Sequence, residues 1–179
     1  MNEMHEAGTV PRLRIAAGVA ALVLAATGCI AHGLAFVKSD QVQVYSPKSH
    51  SLVKTPVTIR WEVHDFRITG HDGNSNPNAG YFGVFVDRAP VPPGKPLSWV
   101  AHGDRQCEHT QGCPDRTYLE DHDTYATTTT SFTLHALPDQ TAYHGHELHE
   151  VTIIILDGRG DRIGENAWYV DFRYDRTGL

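Results

Sequence analysis

Pro56-Val-Thr-Ile-Arg-Trp-Glu-Val-His64 is the stretch that decides the fold class, because apolar and polar side chains alternate along it without a break. Successive side chains of an extended strand point to opposite faces, so a period of two predicts a β-strand with one buried face. The apolar members are Val57, Ile59, Trp61 and Val63, and the polar members are Thr58, Arg60, Glu62 and His64.

The sequence on either side of this stretch also consists of short strand candidates separated by turns. Glu165 to Tyr174 alternates in the same way, and the β-branched run Thr127 to Thr130 favours extended backbone over helix. About seven strands over residues 42–176 predict an all-β chain folded as an antiparallel β-sandwich. The other predicted strands are Val42 to Tyr45, Tyr81 to Asp87, Leu97 to Ala101, Tyr125 to Leu134 and His149 to Leu156.

Several of these segments resemble a known family. Val44-Tyr45-Ser46-Pro47 and Thr55 to Ile59 resemble the opening of immunoglobulin-like modules of bacterial exported proteins. Gly80 to Asp87 is similar to their central strand, and His149 to Ile153, followed by Asp157-Gly158, is similar to a late strand. The resemblance covers roughly residues 42–174 and implies an immunoglobulin-like β-sandwich. It implies almost nothing about activity, because this fold carries many unrelated functions.

The N-terminal segment has the layout of an export signal, expected to form a signal or anchor helix ahead of the domain. Two arginines precede Ile15 to Val37, a run without Asp, Glu, Lys or Arg. Thr27-Gly28-Cys29 resembles the lipobox of bacterial lipoproteins. This resemblance implies that residues 1–28 are a signal peptide and that Cys29 is lipidated. Residues 29–41 would then form a linker to the domain.

Two alternatives use the same residues. The uncharged run is long enough to span a bilayer, at about 35 Å as a helix, so residues 13–37 could be an uncleaved membrane anchor. Cys29-Ile30-Ala31 also resembles an ordinary signal-peptidase site, which would leave His32 as the first mature residue. Export is common to all three readings.

The three cysteines divide into a close pair and a single residue. Cys107 and Cys113 lie in a loop rich in glycine and charged residues, and in an oxidising compartment they are expected to form a disulfide. The predicted pair would pin the long surface connection between Asp104 and Asp123. Cys29 is then left single, as a lipidated cysteine would be. The alternative is a zinc site that uses His109, which lacks a second pair of ligands.

Composition and motifs exclude several functions. The formal net charge is −6 and no stripe of Lys or Arg occurs, which argues against nucleic acid as a partner. The sequence contains neither a Gly-x-Ser-x-Gly elbow nor a Walker-type glycine loop. We therefore expect a protein that is not an enzyme and needs no cofactor. Trp99, near a proline-rich turn, could belong to a binding face or to the core.

Histidines supply the candidate metal ligands. In an extended segment, His144 and His146 would share a face and could bind copper or zinc, and His149 would point the other way unless a turn intervenes. If His32 is the mature N-terminus, its amine and imidazole resemble the copper-binding start of periplasmic copper carriers and copper polysaccharide monooxygenases. The second histidine could then be His102, His135 or His144.

The leading expectation is a membrane-tethered immunoglobulin-like module on the extracytoplasmic face of a bacterial cell membrane. It would bind an unknown protein or envelope ligand and be held to the membrane by lipid or by an N-terminal anchor. The alternative function is a periplasmic copper-binding protein or copper monooxygenase that begins at His32, with copper as its cofactor.

Overall fold

A computed structural model of the chain describes residues 39–175. These residues form nine strands, one 3-10 helix and two short α-helices. The strands are β1 (Val42–Ser46), β2 (Leu52–Val53), β3 (Val57–Val63), β4 (Arg67–Ile68), β5 (Ala79–Val86), β6 (Thr124–Thr127), β7 (Ser131–Leu134), β8 (Glu147–Asp157) and β9 (Trp168–Tyr174). The helices are the 3-10 helix Leu97–Ala101, α1 (Arg105–Glu108) and α2 (Arg116–Asp121).

The strands form two sheets, which confirms the prediction of an all-β chain. One sheet has three strands in the order β1-β3-β7, and both of its strand pairs are antiparallel. The larger sheet has the order β2-β9-β8-β5-β4, with β6 also paired to β5. Its long pairs are antiparallel, whereas the two-residue strands β2 and β4 pair in parallel.

The main core lies between the two sheets and is built as the alternation in β3 predicts. Ile59 and Trp61 point inward from the three-stranded sheet and are fully buried, while Arg60 between them is exposed. Phe82 points inward from β5, and its ring meets the Trp61 ring edge-on at 5.3 Å between centroids. Interdigitation of the two inner faces fills the space between the sheets.

A second core covers the outer face of the larger sheet. Tyr81 and Phe85 of β5, together with Ile154 and Leu156 of β8, point away from the main core and are buried nonetheless. They are covered by apolar side chains from residues 88–123, which we call the covering segment. The central strands β5 and β8 are therefore enclosed on both faces, and residues 39–175 form three layers where the sequence predicts two.

The predicted strand Leu97–Ala101 is wrong, because these residues form a 3-10 helix inside the covering segment. Leu97, Val100 and Ala101 have the i, i+3, i+4 spacing that places apolar side chains on one helical face. That face packs on the second core.

The predicted single strand Tyr125 to Leu134 is also wrong, because it is two strands in two sheets. β6 pairs with β5, whereas β7 pairs with β3 in the other sheet. Thr129 turns the chain between them: its backbone N–H donates to the Thr127 hydroxyl at 3.2 Å, and its own hydroxyl donates to the Ser131 carbonyl at 2.7 Å. These side-chain bonds hold the chain in the corner between the two strands.

The connection expected to be a surface excursion contains α1 and α2. The Asp104 carboxylate caps α1 by accepting hydrogen bonds from the backbone N–H groups of Gln106 and Cys107, and the Asp115 carboxylate caps α2 by accepting one from that of Tyr118. The Tyr118 hydroxyl donates to the Asp104 carboxylate at 2.9 Å and ties the two helices together. Cys107 and Cys113 form the predicted disulfide, with their Cα atoms 5.2 Å apart.

Within residues 39–175, no helix is both long and apolar enough to cross a membrane. The predicted signal or anchor segment, with Cys29 and His32, lies outside the described residues, as does most of the predicted linker.

Candidate functional site

A groove lies where the edges of the two sheets come together, at β6 and β7. It has a volume of about 830 Å³, and its walls come from α2, β6 and β7. We call it the edge groove. The lining residues that matter for its chemistry are Arg116, Glu120, Tyr125, Ala126, Phe132 and Thr133.

The floor of the edge groove is aromatic. Tyr125 of β6 and Phe132 of β7 extend toward the main core from different sheets, and their ring centroids lie 4.8 Å apart at a tilted angle. Both residues are half-buried, and the buried Leu134 lies beside them. A partly open apolar floor of this kind gains free energy when a ligand removes it from water.

Polar groups line the rim. The Arg116 Nε atom lies 2.6 Å from the Glu120 carboxylate, one turn along α2, and both side chains are substantially exposed. His71 and His135 stand at other parts of the rim. An exposed ion pair contributes little to stability, so these charges are available to a ligand at small cost.

Two tyrosine hydroxyls stay protonated in this environment. Burial raises the pKa of Tyr125 above its ordinary value, and the nearby carboxylates of Asp123 and Glu120 raise it further. Burial likewise raises the pKa of Tyr81, which also lines the groove, with Asp157 and Asp161 adding to the rise. The hydroxyl of the buried Tyr81 lies 3.5 Å from the Nδ1 atom of His71.

A second polar cluster lies where β5 ends and β8 begins. The fully buried His149 places its Nδ1 atom 2.7 Å from the Asp87 carboxylate and its Nε2 atom 3.3 Å from Glu147. Asp87 also accepts a hydrogen bond from the backbone N–H of Glu150 at 2.8 Å. The cluster therefore connects the end of β5 to the start of β8, and both Asp87 and His149 also line a neighbouring cavity.

The segment that carries these histidines is not extended throughout, because it turns at His144 and Gly145. His149 points into the core, because it shares the inward phase of β8 with Val151. His144 and Gly145 both have positive φ, 51° and 83°, and form the two-residue turn of a small hairpin between Tyr143 and His146. His144 and His146 are therefore not two positions of one extended segment.

Metal binding by His144 and His146 stays a prediction. In the part of the chain that the structure describes, no three or more His, Cys, Asp or Glu side chains are grouped to hold a metal ion. Of the other histidines named for copper, His102 stacks on Trp99 and His135 lies at the rim of the edge groove. The zinc alternative with His109 loses its two thiolates to the disulfide.

Trp99 belongs to the border of the second core and does not offer a free binding face. It is half-buried against that core. The His102 ring stacks on it at 3.8 Å between centroids, and the Lys95 ammonium lies 4.4 Å from the ring centroid.

The sequence does not predict the edge groove, because its walls come from α2 and from β6 and β7, which together have the pattern of one strand. Comparisons of the chain with protein-family models, with curated proteins and with solved structures found no match.

Proposed function

We propose that this chain is a membrane-tethered, extracytoplasmic immunoglobulin-like module that acts by binding a partner, not by catalysis. The edge groove is the observation that carries the binding role. Its volume of about 830 Å³ lies within the range typical of ligand sites, and it combines an aromatic floor with a few polar groups.

The strand order supports the immunoglobulin-like part of the proposal. The larger sheet has β9, β8 and β5 as neighbours, as the G, F and C strands of an immunoglobulin domain are. The smaller sheet groups β1, β3 and β7 as the A, B and E strands are grouped. The chain from Val42 to Val53 contributes β1 to the smaller sheet and β2 to the larger sheet.

The disulfide supports the extracytoplasmic location. Disulfides persist in oxidising compartments and are rare in the cytosol, and Cys107–Cys113 closes a loop within the covering segment. The lipobox-like Thr27-Gly28-Cys29 supplies the tether in this proposal.

The processed N-terminus tests the tether. The full chain would be expressed in a bacterial host, its membranes isolated and the intact mass measured. We expect a chain that begins at lipid-modified Cys29, and loss of the lipid in Cys29→Ser. The Cys107→Ser/Cys113→Ser variant is the matched control, because it keeps Cys29 and should stay lipidated. An unlipidated chain that starts at His32 would overturn the lipoprotein tether.

The side of the membrane needs a separate measurement. A membrane-impermeant biotin reagent applied to intact spheroplasts should label lysines of the domain. Protection of the domain until the cells are lysed would contradict an extracytoplasmic location.

A further inference from the structure

We propose that the edge groove binds an extended segment of a partner protein, which adds to β6 as a further strand. This inference rests on the binding role proposed above and specifies the chemistry of the partner. It follows from the backbone edges, the side chains of the groove and the positions of the chain ends.

The free edge of β6 follows from its pairing with β5. The Val86 backbone N–H donates to the Asp123 carbonyl at 2.9 Å, and the register continues as Val84 opposite Tyr125 and Phe82 opposite Thr127. In an antiparallel pair, alternate residues direct their backbone groups toward the partner strand. The backbone N–H and C=O groups of Thr124 and Ala126 therefore point away from β5. Among the described strands, β6 pairs with β5 alone.

The neighbouring edge of β7 is open in the same manner. The Trp61 backbone N–H donates to the Thr130 carbonyl at 3.0 Å, which places Phe132 and Leu134 in the positions bonded to β3. The backbone of Thr133 therefore points away from β3. Thr133 and Ala126 both line the edge groove, so the open edges of two sheets meet in one cavity.

The side chains of the groove define the sequence of the segment. Side chains of an added strand would alternate between the inner and outer sides of β6. On the inner side they would meet the rings of Tyr125 and Phe132, which favour apolar residues. On the outer side they would meet the Arg116–Glu120 pair on α2, which favours polar or charged residues. The partner segment is therefore an extended one with apolar residues at every second position.

Both ends of the described chain lie beside β9 and β2, at the edge of the larger sheet opposite β6, so neither end already occupies the edge groove. The Trp168 indole N–H of β9 donates to the Ser39 carbonyl at 2.7 Å. The Asp175 backbone N–H donates to the backbone carbonyl of Val53 in β2. From β9 to β6 the sheet is three strand spacings wide, about 14 Å at the usual separation. A flanking segment of this chain would use about four extended residues to cross that width before it could pair with β6.

The experiment uses a library of random ten-residue peptides displayed on phage, selected against the full chain as isolated from the cell. A selected peptide is then titrated against variants of Ala126. Proline at this position removes the free-edge N–H without removing a bond to β5, as proline on sheet edges generally does. We expect Ala126→Pro to weaken binding by about tenfold, the effect of one backbone hydrogen bond. The matched Ala126→Ser keeps the N–H and should bind within about twofold.

Hydrogen exchange on the unmodified chain gives a second readout that does not depend on the folding of Ala126→Pro. Peptide binding should slow exchange of the Ala126 amide and leave the amides of β1, on the far edge of the other sheet, unchanged. If no Ala126 protection accompanies binding and Ala126→Pro has no effect, the inference is overturned.

Two other results would overturn the inference and leave the membrane tether intact. The first is a library that gives no peptide whose binding responds to the Ala126 variants. The second is a concentration-dependent dimer that is lost in Ala126→Pro and competes with the peptide, because the natural occupant would then be a second copy of this chain. Failure of the tether itself is detected separately, by the mass of the N-terminus.

Discussion

Strands β3 and β8 both lie between neighbours in their sheets, yet they are buried in different ways. In β3, inward residues such as Ile59 are buried and the intervening Arg60 is exposed. In β8, every residue from Val151 to Asp157 is buried, because the main core covers one face and the covering segment covers the other. The difference shows that a continuous apolar run in an otherwise alternating β-protein indicates a third layer.

Truncation of an outward residue is the strongest test of this comparison. Ile154 faces the covering segment and is fully buried, whereas Thr58 of β3 faces away from the core and is only half-buried. We expect Ile154→Ala to lower the free energy of unfolding by roughly 2–5 kcal/mol, through lost burial and the cavity left behind. The matched Thr58→Ala should cost less than about 1 kcal/mol.

Urea unfolding of the full-length variants measures both values. Equal small effects of Ile154→Ala and Thr58→Ala would mean that the covering segment does not pack on β8 in solution, and that the molecule has two layers.

The next largest effect is expected at Arg162, which fastens the covering segment. Its buried guanidinium donates to the carbonyl of Val91 at 2.6 Å and to those of Glu165 and Asn166 at 2.8 and 3.1 Å. Burial lowers the pKa of this group, partly offset by the charge of Glu165. Arg162→Met leaves these carbonyls without their donor and should cost roughly 2–4 kcal/mol in urea unfolding.

A surface arginine provides the control. Arg116→Met removes only an exposed ion pair on α2, so its effect on unfolding should stay below about 1 kcal/mol. If the two methionine variants were equally stable, Arg162 would have no role in fastening the covering segment.

The disulfide is expected to contribute less. Cys107 and Cys113 are six residues apart, and a loop of this size stabilises by about 2 kcal/mol in the chain-entropy description. The Cys107→Ser/Cys113→Ser variant should therefore unfold at lower urea. Proteolysis should begin within the covering segment of this variant. First cleavage in the sheets would contradict a local role for the disulfide.

The smallest effect concerns acid stability at the end of β8. Burial of Asp157 acts to raise its pKa, but hydrogen bonds from the backbone N–H groups of Asp161 and Arg159, and from Ser75, outweigh burial and lower the pKa. A carboxylate whose pKa is lower in the folded chain stabilises it above the unfolded value of about 3.9. That stabilisation is lost as the pH falls through the folded pKa.

Asp157→Asn should therefore lower stability at pH 6 and reduce the slope of stability against pH below about pH 4. Thermal unfolding at pH 3 to 6 measures this slope. Parallel curves for the variant and the unmodified chain would exclude a contribution from Asp157.

Local patterns allowed much of the fold to be predicted, and the limits of prediction have physical causes. The alternation in β3 and β9 identifies the inward residues of both, because one face of each strand is exposed. The apolar run in β8 has no polar face over the same length, so the sequence does not show which alternate residues face the main core. That is why the inward position of His149 was not predicted. The edge groove depends on Thr129, whose side-chain bonds turn one apparent strand into two.

The corner at Thr128 to Thr130 also has a consequence for the order of folding. Only three residues separate β6 from β7, although the strands belong to different sheets. Once β6 has paired with β5, β7 is held within a few residues of its place beside β3, and the loop-closure entropy of that second pairing is small. The corner therefore couples the formation of one sheet to that of the other, so that the two sheets are expected to assemble and to unfold as one cooperative unit.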